Sequence, residues 1–276
     1  MDHPAFAPGN VAVVTGAALG IGRAACRRFA RLGMRVCLVD LARPDLNEAF
    51  DEVVGCAPNG AAAVMSRVAD VSDAAALSSV RRAVEGEWES PAVLMNNAAT
   101  RVGRRPDAPL ADWRRSMEVN FWGVVQGVET FLDGMLARAA PGLIVNSGSK
   151  QGITNPPGNT IYNVTKSALK TYTEALQHDL RNRADAQLSA HLLVPGFTTT
   201  GHREHSDGAW LPDQVIEHML ERLDAGAFYI LCPDNEVTPE MDAKRIRWAA
   251  EDIVQDRPAL SRWHPDWRER FAQADD

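Results

Sequence analysis

Tyr162 and Lys166 stand one helical turn apart in the stretch IYNVTKSALK, residues 161–170. On a helix that spacing places both side chains on one face. A free phenol ionises at about pH 10, too high for a base near neutrality. A neighbouring ammonium favours the phenolate and lowers that value. A tyrosine tuned in this way can take a proton from an alcohol or return one to a ketone. A hydroxyl donor would fix the reacting oxygen. Ser149, at the end of GLIVNSGS (142–149), is placed to do so, with Ser147 as its competitor. A YxxxK pair alone is a common surface pattern, so its meaning depends on what the rest of the chain brings to it.

The stretch TGAALGIG (15–22) joins an apolar run, VAVVT (11–15), to a helical segment over 20–33. Its glycines, Gly16, Gly20 and Gly22, permit a tight turn and let a pyrophosphate approach the backbone. The helix that follows offers free N–H groups and a positive dipole end to that anion. Gly16, Leu19, Gly20 and Ile21 are therefore expected to touch a dinucleotide. Asp40 closes the second apolar run, MRVCLVD (34–40). A carboxylate there accepts hydrogen bonds from the adenosine ribose hydroxyls and repels a 2′-phosphate. No basic residue stands at Leu19 or Leu41, and Arg43 is the nearest counter-charge. NAD is thus expected in preference to NADP. The alternative is that Asp40 merely caps the segment after it.

These residues must be held by an alternation of strands and helices. Strands are expected at 11–15, 34–40, 61–70, 91–97, 142–149, 187–196 and 227–232. Helices are expected at 20–33, 73–88, 110–136, 160–183 and 213–224, and no element is assigned to 41–60. The pattern predicts β-α-β units with right-handed crossovers. The fold class is then α/β: a Rossmann-type, doubly wound, parallel seven-stranded sheet with helices on both faces. Ligands of such sheets bind beyond the carboxyl ends of the strands. Gly16, Asp40, Asp70, Asn97, Ser147 with Ser149, and Pro195 with Gly196 all fall at that edge.

Composition narrows the class. The chain has 276 residues, of which 45% are hydrophobic and 24% charged, and a formal net charge of −7. An acidic chain of this kind argues against a nucleic-acid partner. No apolar run is long enough for a membrane span, and the start, MDHPAFAPGN, lacks the pattern of a secretory signal. Cys26, Cys37, Cys56 and Cys232 form no CxxC pair and read as free thiols, in keeping with a cytoplasmic address.

Together these stretches resemble the short-chain dehydrogenase/reductase family. The matching segments are TGAALGIG (15–22), DV (70–71), NNAA (96–99), EVNFWG (118–123), IVNSGSKQG (144–152), YNVTK (162–166) and PGFTTT (195–200), in the family's order. The resemblance covers roughly 10–235. It implies Ser149, Tyr162 and Lys166 as catalytic residues, with Asn120 holding a water in a proton relay. It also implies adenine contacts at Asp70 and Val71, ribose-side contacts at Asn97 and Ala98, and nicotinamide-side contacts at Pro195, Gly196 and Thr198. Tyr162 and Lys166 themselves would also touch the cofactor. The implied reaction is hydride transfer between a secondary alcohol or its ketone and C4 of the nicotinamide. The implied assembly is a homodimer or homotetramer. A catalytically silent NAD-binding sensor would not need the Ser149–Tyr162–Lys166 set. A nucleotide-sugar epimerase or dehydratase usually carries a larger C-terminal substrate domain.

Two stretches depart from the family pattern. Residues 1–235 form the dinucleotide-binding segment with the active site, and 236–276 form an extension carrying Trp248, Trp263 and Trp267. The extension includes an expected helix at 239–255. Its aromatics must pack on the domain, on a subunit interface or over the site mouth. The segment FTTTGHREHSDGAWLP (197–212) stands where the family carries a substrate lid. His202 and His205 lack a third ligand of suitable spacing, so no metal site is expected. Phe197, Trp210, Leu211 and Met219 suggest an apolar wall, with Gln151, Asn155 and Pro157 opposite. They suggest an apolar or aromatic small-molecule substrate.

Overall fold

The computed structural model describes residues 3–274. Residues 1, 2, 275 and 276, the outer ends of the two expected segments, lie outside the described residues. The strands are β1 (Val11–Thr15), β2 (Arg35–Asp40), β3 (Val64–Val68), β4 (Val93–Asn96), β5 (Gly142–Ser147), β6 (Leu188–Val194) and β7 (Tyr229–Leu231). They form one seven-stranded sheet in the order β3-β2-β1-β4-β5-β6-β7, with every pairing parallel. The strand order reverses between β1 and β4, and a ligand crevice opens at such a switch point.

The helices are α1 (Gly20–Arg31), α2 (Pro44–Cys56), α3 (Ala74–Glu87), α4 (Leu110–Met117), α5 (Gly123–Ala137), α6 (Gln151–Thr154), α7 (Thr160–Arg181), α8 (Pro212–Asp224), α9 (Pro239–Val254) and α10 (Arg268–Gln273). Both faces of the central sheet are covered, so its inner strands are largely apolar rather than alternating, while the edge strand β3 exposes Arg67 and Val68. In β1, Ala12 and Val14 join the core shared with α1, α2 and α8. Val11 and Val13 point the other way, into the core shared with α3, α5 and α7. Among the described residues no helix is long and apolar enough to cross a membrane.

Two elements differ from the sequence expectation. Helix α2 lies in the unassigned stretch 41–60. Pro44 opens it, and Leu46, Ala49 and Val53 supply its buried stripe. The single helix expected over 110–136 is broken into α4 and α5 by a π-helical turn, Glu118–Trp122. Such wide turns recur at functional sites.

The C-terminal extension folds back on its own chain. The Lys150 ammonium lies 2.6 Å from an Asp242 carboxylate oxygen and 3.3 Å from an oxygen of Asp234. Both carboxylates are buried. The tail aromatics pack on one another: Trp248 meets Trp267 and Phe271 edge to face, and the Arg257 guanidinium lies 4.5 Å over the Trp248 ring. Trp248 also donates through Nε1 to Ser261 Oγ at 2.6 Å. Removing Asp242 leaves Lys150 with Asp234 alone. Asp242→Ala is therefore expected to cost about 1–3 kcal/mol in denaturant titration. Hydrogen exchange should rise in 239–254 while β1, β4 and β5 stay protected. Unchanged exchange in α9 would show that the ion pair does not hold the tail.

Candidate active site

The buried face of α7 carries Ile161, Tyr162, Thr165, Lys166, Leu169 and Thr173. The helix thus points its phenol and its ammonium into the protein rather than into water. Lys166 Nζ donates to the Ser147 carbonyl at 2.6 Å and lies 5.6 Å from the centre of the Tyr162 ring. Gly152 permits this approach of α6 to α7, because a Cβ there would fall 2.5 Å from the Lys166 carbonyl carbon. The two candidate serines have different partners. Ser147 donates its hydroxyl to Asn97 Oδ1 at 3.2 Å, whereas the Ser149 hydroxyl accepts from the Gln151 N–H at 3.2 Å and favours the ionised form of the Tyr162 phenol.

A residue not singled out from the sequence joins them. The Arg101 guanidinium stands 4.4 Å over the Tyr162 ring centre, where its charge favours the phenolate. Burial alone would push the phenol up. The charges of Lys166 and Arg101, with hydrogen bonds from Arg101 and Ser149, outweigh burial and hold Tyr162 below the ordinary tyrosine value. Burial depresses Lys166, Tyr162 opposes that, and Arg101 adds to the depression. The sequence signal for Arg101 was weak: one arginine in the loop after NNAA, 61 residues before its tyrosine.

Asn120 lies in the π-helical turn and is fully buried. Its Oδ1 accepts from the Thr100 N–H at 2.7 Å, and its Nδ2 donates to the Thr100 carbonyl at 2.9 Å and to Thr165 Oγ1 at 3.1 Å. The carboxamide is thereby occupied by protein.

The residues expected to hold a dinucleotide meet at the same edge. Gly16 and Gly20 have φ of +65° and +55°, and a Cβ on Gly22 would fall 2.1 Å from the Gly16 carbonyl oxygen. Leu19, the N-cap of α1, makes no side-chain cap bond, so the first-turn N–H groups are available to an anion. Ile21 turns to the core. A Cβ on Gly16 would meet the Ala98 Cα at 2.7 Å. These features fit a pyrophosphate cradle. Asp40 braces it: Oδ2 accepts from the Ala18 N–H at 2.9 Å and Oδ1 from the Leu41 N–H at 2.7 Å. The carboxylate therefore caps backbone as well, and each oxygen keeps a lone pair for a ribose hydroxyl.

Other expected contacts are more engaged with protein. Asn97 donates through Nδ2 to the Thr15 and Gly16 carbonyls, both at 3.1 Å, so its carboxamide staples the glycine turn. Asp70 accepts from the Ser72 N–H and hydroxyl and from Arg115. Burial would raise its carboxyl, but these partners hold it below the usual range. Val71 is buried against Gly123. Pro195 and Gly196 follow β6, where a Cβ on Gly196 would meet Asp234 Oδ2 at 2.4 Å. The Thr198 hydroxyl donates to the Gly196 carbonyl at 3.3 Å.

The lid segment is pinned by a bridge between Thr198 and Trp210 and crosses the cradle, with Thr200 against Gly20. His202 pairs with Asp45 at 2.9 Å, and His205 with the Thr199 hydroxyl at 2.9 Å. The two imidazoles thus turn to separate partners. The apolar wall is not realised as expected. Met219 sits in the core because α8 buries its 215, 216, 219, 220 and 223 stripe. Trp210 packs on that core too, which leaves Phe197 and Leu211 half-exposed. Asn155 and Pro157 line a groove of about 540 Å³ with Val164, Ser167 and Thr171. On α7 those positions lie opposite Tyr162 and Lys166.

A glycine cradle after the first strand and a proton-transfer tyrosine beside the fifth, on one parallel sheet, are the parts of a dinucleotide-binding oxidoreductase. Residues 10–209 match the short chain dehydrogenase family, and the chain belongs to it, as an oxidoreductase of hydroxyl and carbonyl groups. It is 36% identical over 197 residues to galactitol 2-dehydrogenase (L-tagatose-forming) of Cereibacter sphaeroides, which covers 70% of this chain and 72% of that protein. It superposes with a TM-score of 0.81 on a Burkholderia phymatum short-chain dehydrogenase/reductase in complex with NAD, at 29% identity, over 91% of this chain and 96% of that one. A metagenomic short-chain oxidoreductase in complex with NADP gives a TM-score of 0.69 at 26% identity, over 82% of this chain and 98% of that one.

The three tyrosines are expected to separate in an ultraviolet titration. Tyr162 ionises first, below the ordinary value, while burial first and then the carboxylates of Glu129 and Glu174 push Tyr172 and Tyr229 up to about 12. Lys166→Met should move the first step to higher pH. A single step for all three phenols would contradict the geometry.

Proposed function

We propose that the protein is an NAD-dependent oxidoreductase that interconverts a secondary alcohol and its ketone. The observation that carries this reading is the buried Tyr162 phenol, flanked by Lys166, at the strand edge that also carries Ser149 and the glycine cradle. NAD supplies a hydride acceptor at its nicotinamide, and its reduced form supplies the hydride in the reverse direction. The chain's own residues do the rest. Ser149 donates to the substrate oxygen and orients it. Tyr162 takes the hydroxyl proton in oxidation and returns it in reduction. Lys166 holds the phenol acidic from a buried position and binds the cofactor ribose. The Asn120 backbone carbonyl holds the water that links Lys166 to solvent.

The choice of NAD rests on Asp40. Its carboxylate stands at the end of β2, braced by two backbone N–H groups, where a 2′-phosphate would meet a fixed negative charge. Gly16, Leu19, Gly20 and Ile21 take the pyrophosphate, Asp70 and Val71 the adenine side, Asn97 and Ala98 the ribose side, and Pro195, Gly196 and Thr198 the nicotinamide side. A homodimer or homotetramer is part of the reading: Trp122 and Val164 are exposed apolar side chains of the kind an interface covers. Four free cysteines fit a cytoplasmic, reducing location.

Tyr162→Phe should lower kcat by at least about 100-fold, the scale of general acid–base catalysis, while NADH binding, read by fluorescence, stays within about threefold. Retained turnover would remove Tyr162 from the role. Asp40→Ala should weaken NAD binding and narrow the preference over NADP. A native enzyme that already prefers NADPH would overturn the reading of Asp40.

A further inference from the structure

Arg101 is fixed where its loop has little freedom. The residue before it is clamped twice, because Thr100 gives its N–H to Asn120 Oδ1 and its carbonyl accepts from Asn120 Nδ2. The residue after it is also held, since the Ser116 hydroxyl donates to the Val102 carbonyl at 3.2 Å. Further along, the Thr160 N–H at the start of α7 donates to the Arg104 carbonyl at 2.8 Å. The loop is thereby tied both to the π-helical turn and to the helix that carries Tyr162. Between these anchors Arg101 remains exposed, with its guanidinium over the phenol ring.

The charge around it is unbalanced. Among the described residues no carboxylate pairs with Arg101 or with Lys166. Other cations at this edge of the sheet are compensated: Lys150 by Asp234 and Asp242, and Arg115 by Asp70. One phenolate offsets the Lys166 charge and leaves the guanidinium charge over. A planar guanidinium with several N–H donors binds a carboxylate bidentately, and a face stacked on an aromatic ring leaves its edges free to do so.

The geometry points to a hydroxy acid, or the corresponding oxo acid, as the substrate, with Arg101 binding the carboxylate while Tyr162 and Ser149 hold the reacting oxygen. This deepens the alcohol–ketone reading above and rests on it. Because the Arg101 guanidinium lies 4.4 Å over the Tyr162 ring centre, a carboxylate on the guanidinium and a carbinol oxygen on the phenol must be close in the substrate. With charge-assisted bonds of about 2.7–2.9 Å, the carboxylate lies about one or two carbons from the carbinol carbon. In oxidation the carbinol C–H bond breaks, its electron pair leaves as hydride to the oxidised nicotinamide, the O–H proton passes to Tyr162, and the C=O bond forms. The carboxylate itself is unchanged. The fixed positive charge favours the anionic substrate, and two residues of the expected apolar wall, Trp210 and Met219, pack on the core instead.

The test is a set of initial rates with NAD on 2-hydroxybutyrate, 3-hydroxybutyrate, the methyl ester of each, and neutral secondary alcohols such as 2-butanol and cyclohexanol. The wild-type enzyme should show a kcat/KM for one acid about tenfold or more above its ester. Arg101→Gln should lower kcat/KM for that acid by about 10- to 100-fold, the scale of one charge-assisted hydrogen-bonded pair, mainly through KM. The same substitution should lower the ester less, through Tyr162 alone, so that the acid-to-ester ratio of kcat/KM falls by about tenfold, and Arg101→Lys should recover part of the loss. An unchanged melting temperature would confirm that the variants are folded. Turnover of neutral alcohols or esters with no acid preferred overturns the inference and leaves the alcohol–ketone reading standing. An equal loss on acid and ester in Arg101→Gln also overturns it, since Arg101 would then act on Tyr162 alone. No turnover of any alcohol overturns both.

Discussion

The site depends on a cation buried without a carboxylate. Taking the Lys166 ammonium out of water is costly, and burial by itself favours its neutral form. Burial by itself also keeps a phenol protonated. Each group separately would lose its charge inside the protein; side by side, each supplies what the other lacks. The Ser147 carbonyl takes the ammonium at 2.6 Å, and the ring of Tyr162 stands beside it. The remaining architecture can be understood as what keeps these two groups at that separation. The helix α7 sets their phase, β5 supplies the carbonyl, and Gly152 lets α6 close against the Lys166 backbone.

The same lysine is joined to the cofactor cradle through protein alone. Ser147, whose carbonyl receives Lys166, gives its hydroxyl to Asn97. Asn97 gives its carboxamide N–H groups to the carbonyls of Thr15 and Gly16, and the Thr15 hydroxyl accepts from the backbone of Asn97 and Ala98. One strand position deeper, Asn96 donates to Asn146, and Asn146 to Thr173 on α7. These bonds cross the sheet at β1, β4 and β5 and end on the catalytic helix. Buried polar groups satisfied in this way fix one geometry rather than many. The register between the turn that takes a pyrophosphate and the helix that carries the phenol is thus set by side chains of the sheet edge. This also explains why Asn97, expected from the sequence beside a ribose, has its carboxamide inside the protein.

What was legible in the sequence followed from local rules. The apolar runs gave the strands, because a sheet buried on both faces writes its strands as continuous β-branched stretches. The glycine turn and Tyr162–Lys166 were legible because their chemistry lies within one turn of chain. Helix α2 was equally local, with Pro44 at its start and Leu46, Ala49 and Val53 on one face, but its stripe is short and polar residues crowd it. The residues misread were those whose meaning depends on a distant partner. Met219 looked like part of a wall until the phase of α8 turned it to the core, and Trp210 packs on that core from the segment before the helix. Arg101 is one of 29 lysines and arginines, and only the folded loop places it over a ring on another element. Lys150 and Asp242 are likewise far apart in sequence, so the attachment of the tail beside Ser149 left no local trace.

The distribution of charge brings these observations together. The chain is acidic overall, with a formal net charge of −7, yet its carboxylates are not spread evenly over its cations. Lys150, adjacent in sequence to Ser149, faces two buried carboxylates, and its charge is more than offset. Lys166 faces a backbone dipole and a phenol. Arg101 faces only the phenol ring. In a partly desolvated cleft, unscreened charge acts further and more strongly than on the surface. Moving the Lys150 carboxylates a few ångströms toward the phenol would neutralise the cleft and raise the Tyr162 pKa. Their confinement to the Lys150 side, where they also anchor the C-terminal helix, keeps the catalytic side positive. The tail and the Tyr162 site are therefore parts of one electrostatic arrangement, in which negative charge is held away from the phenol.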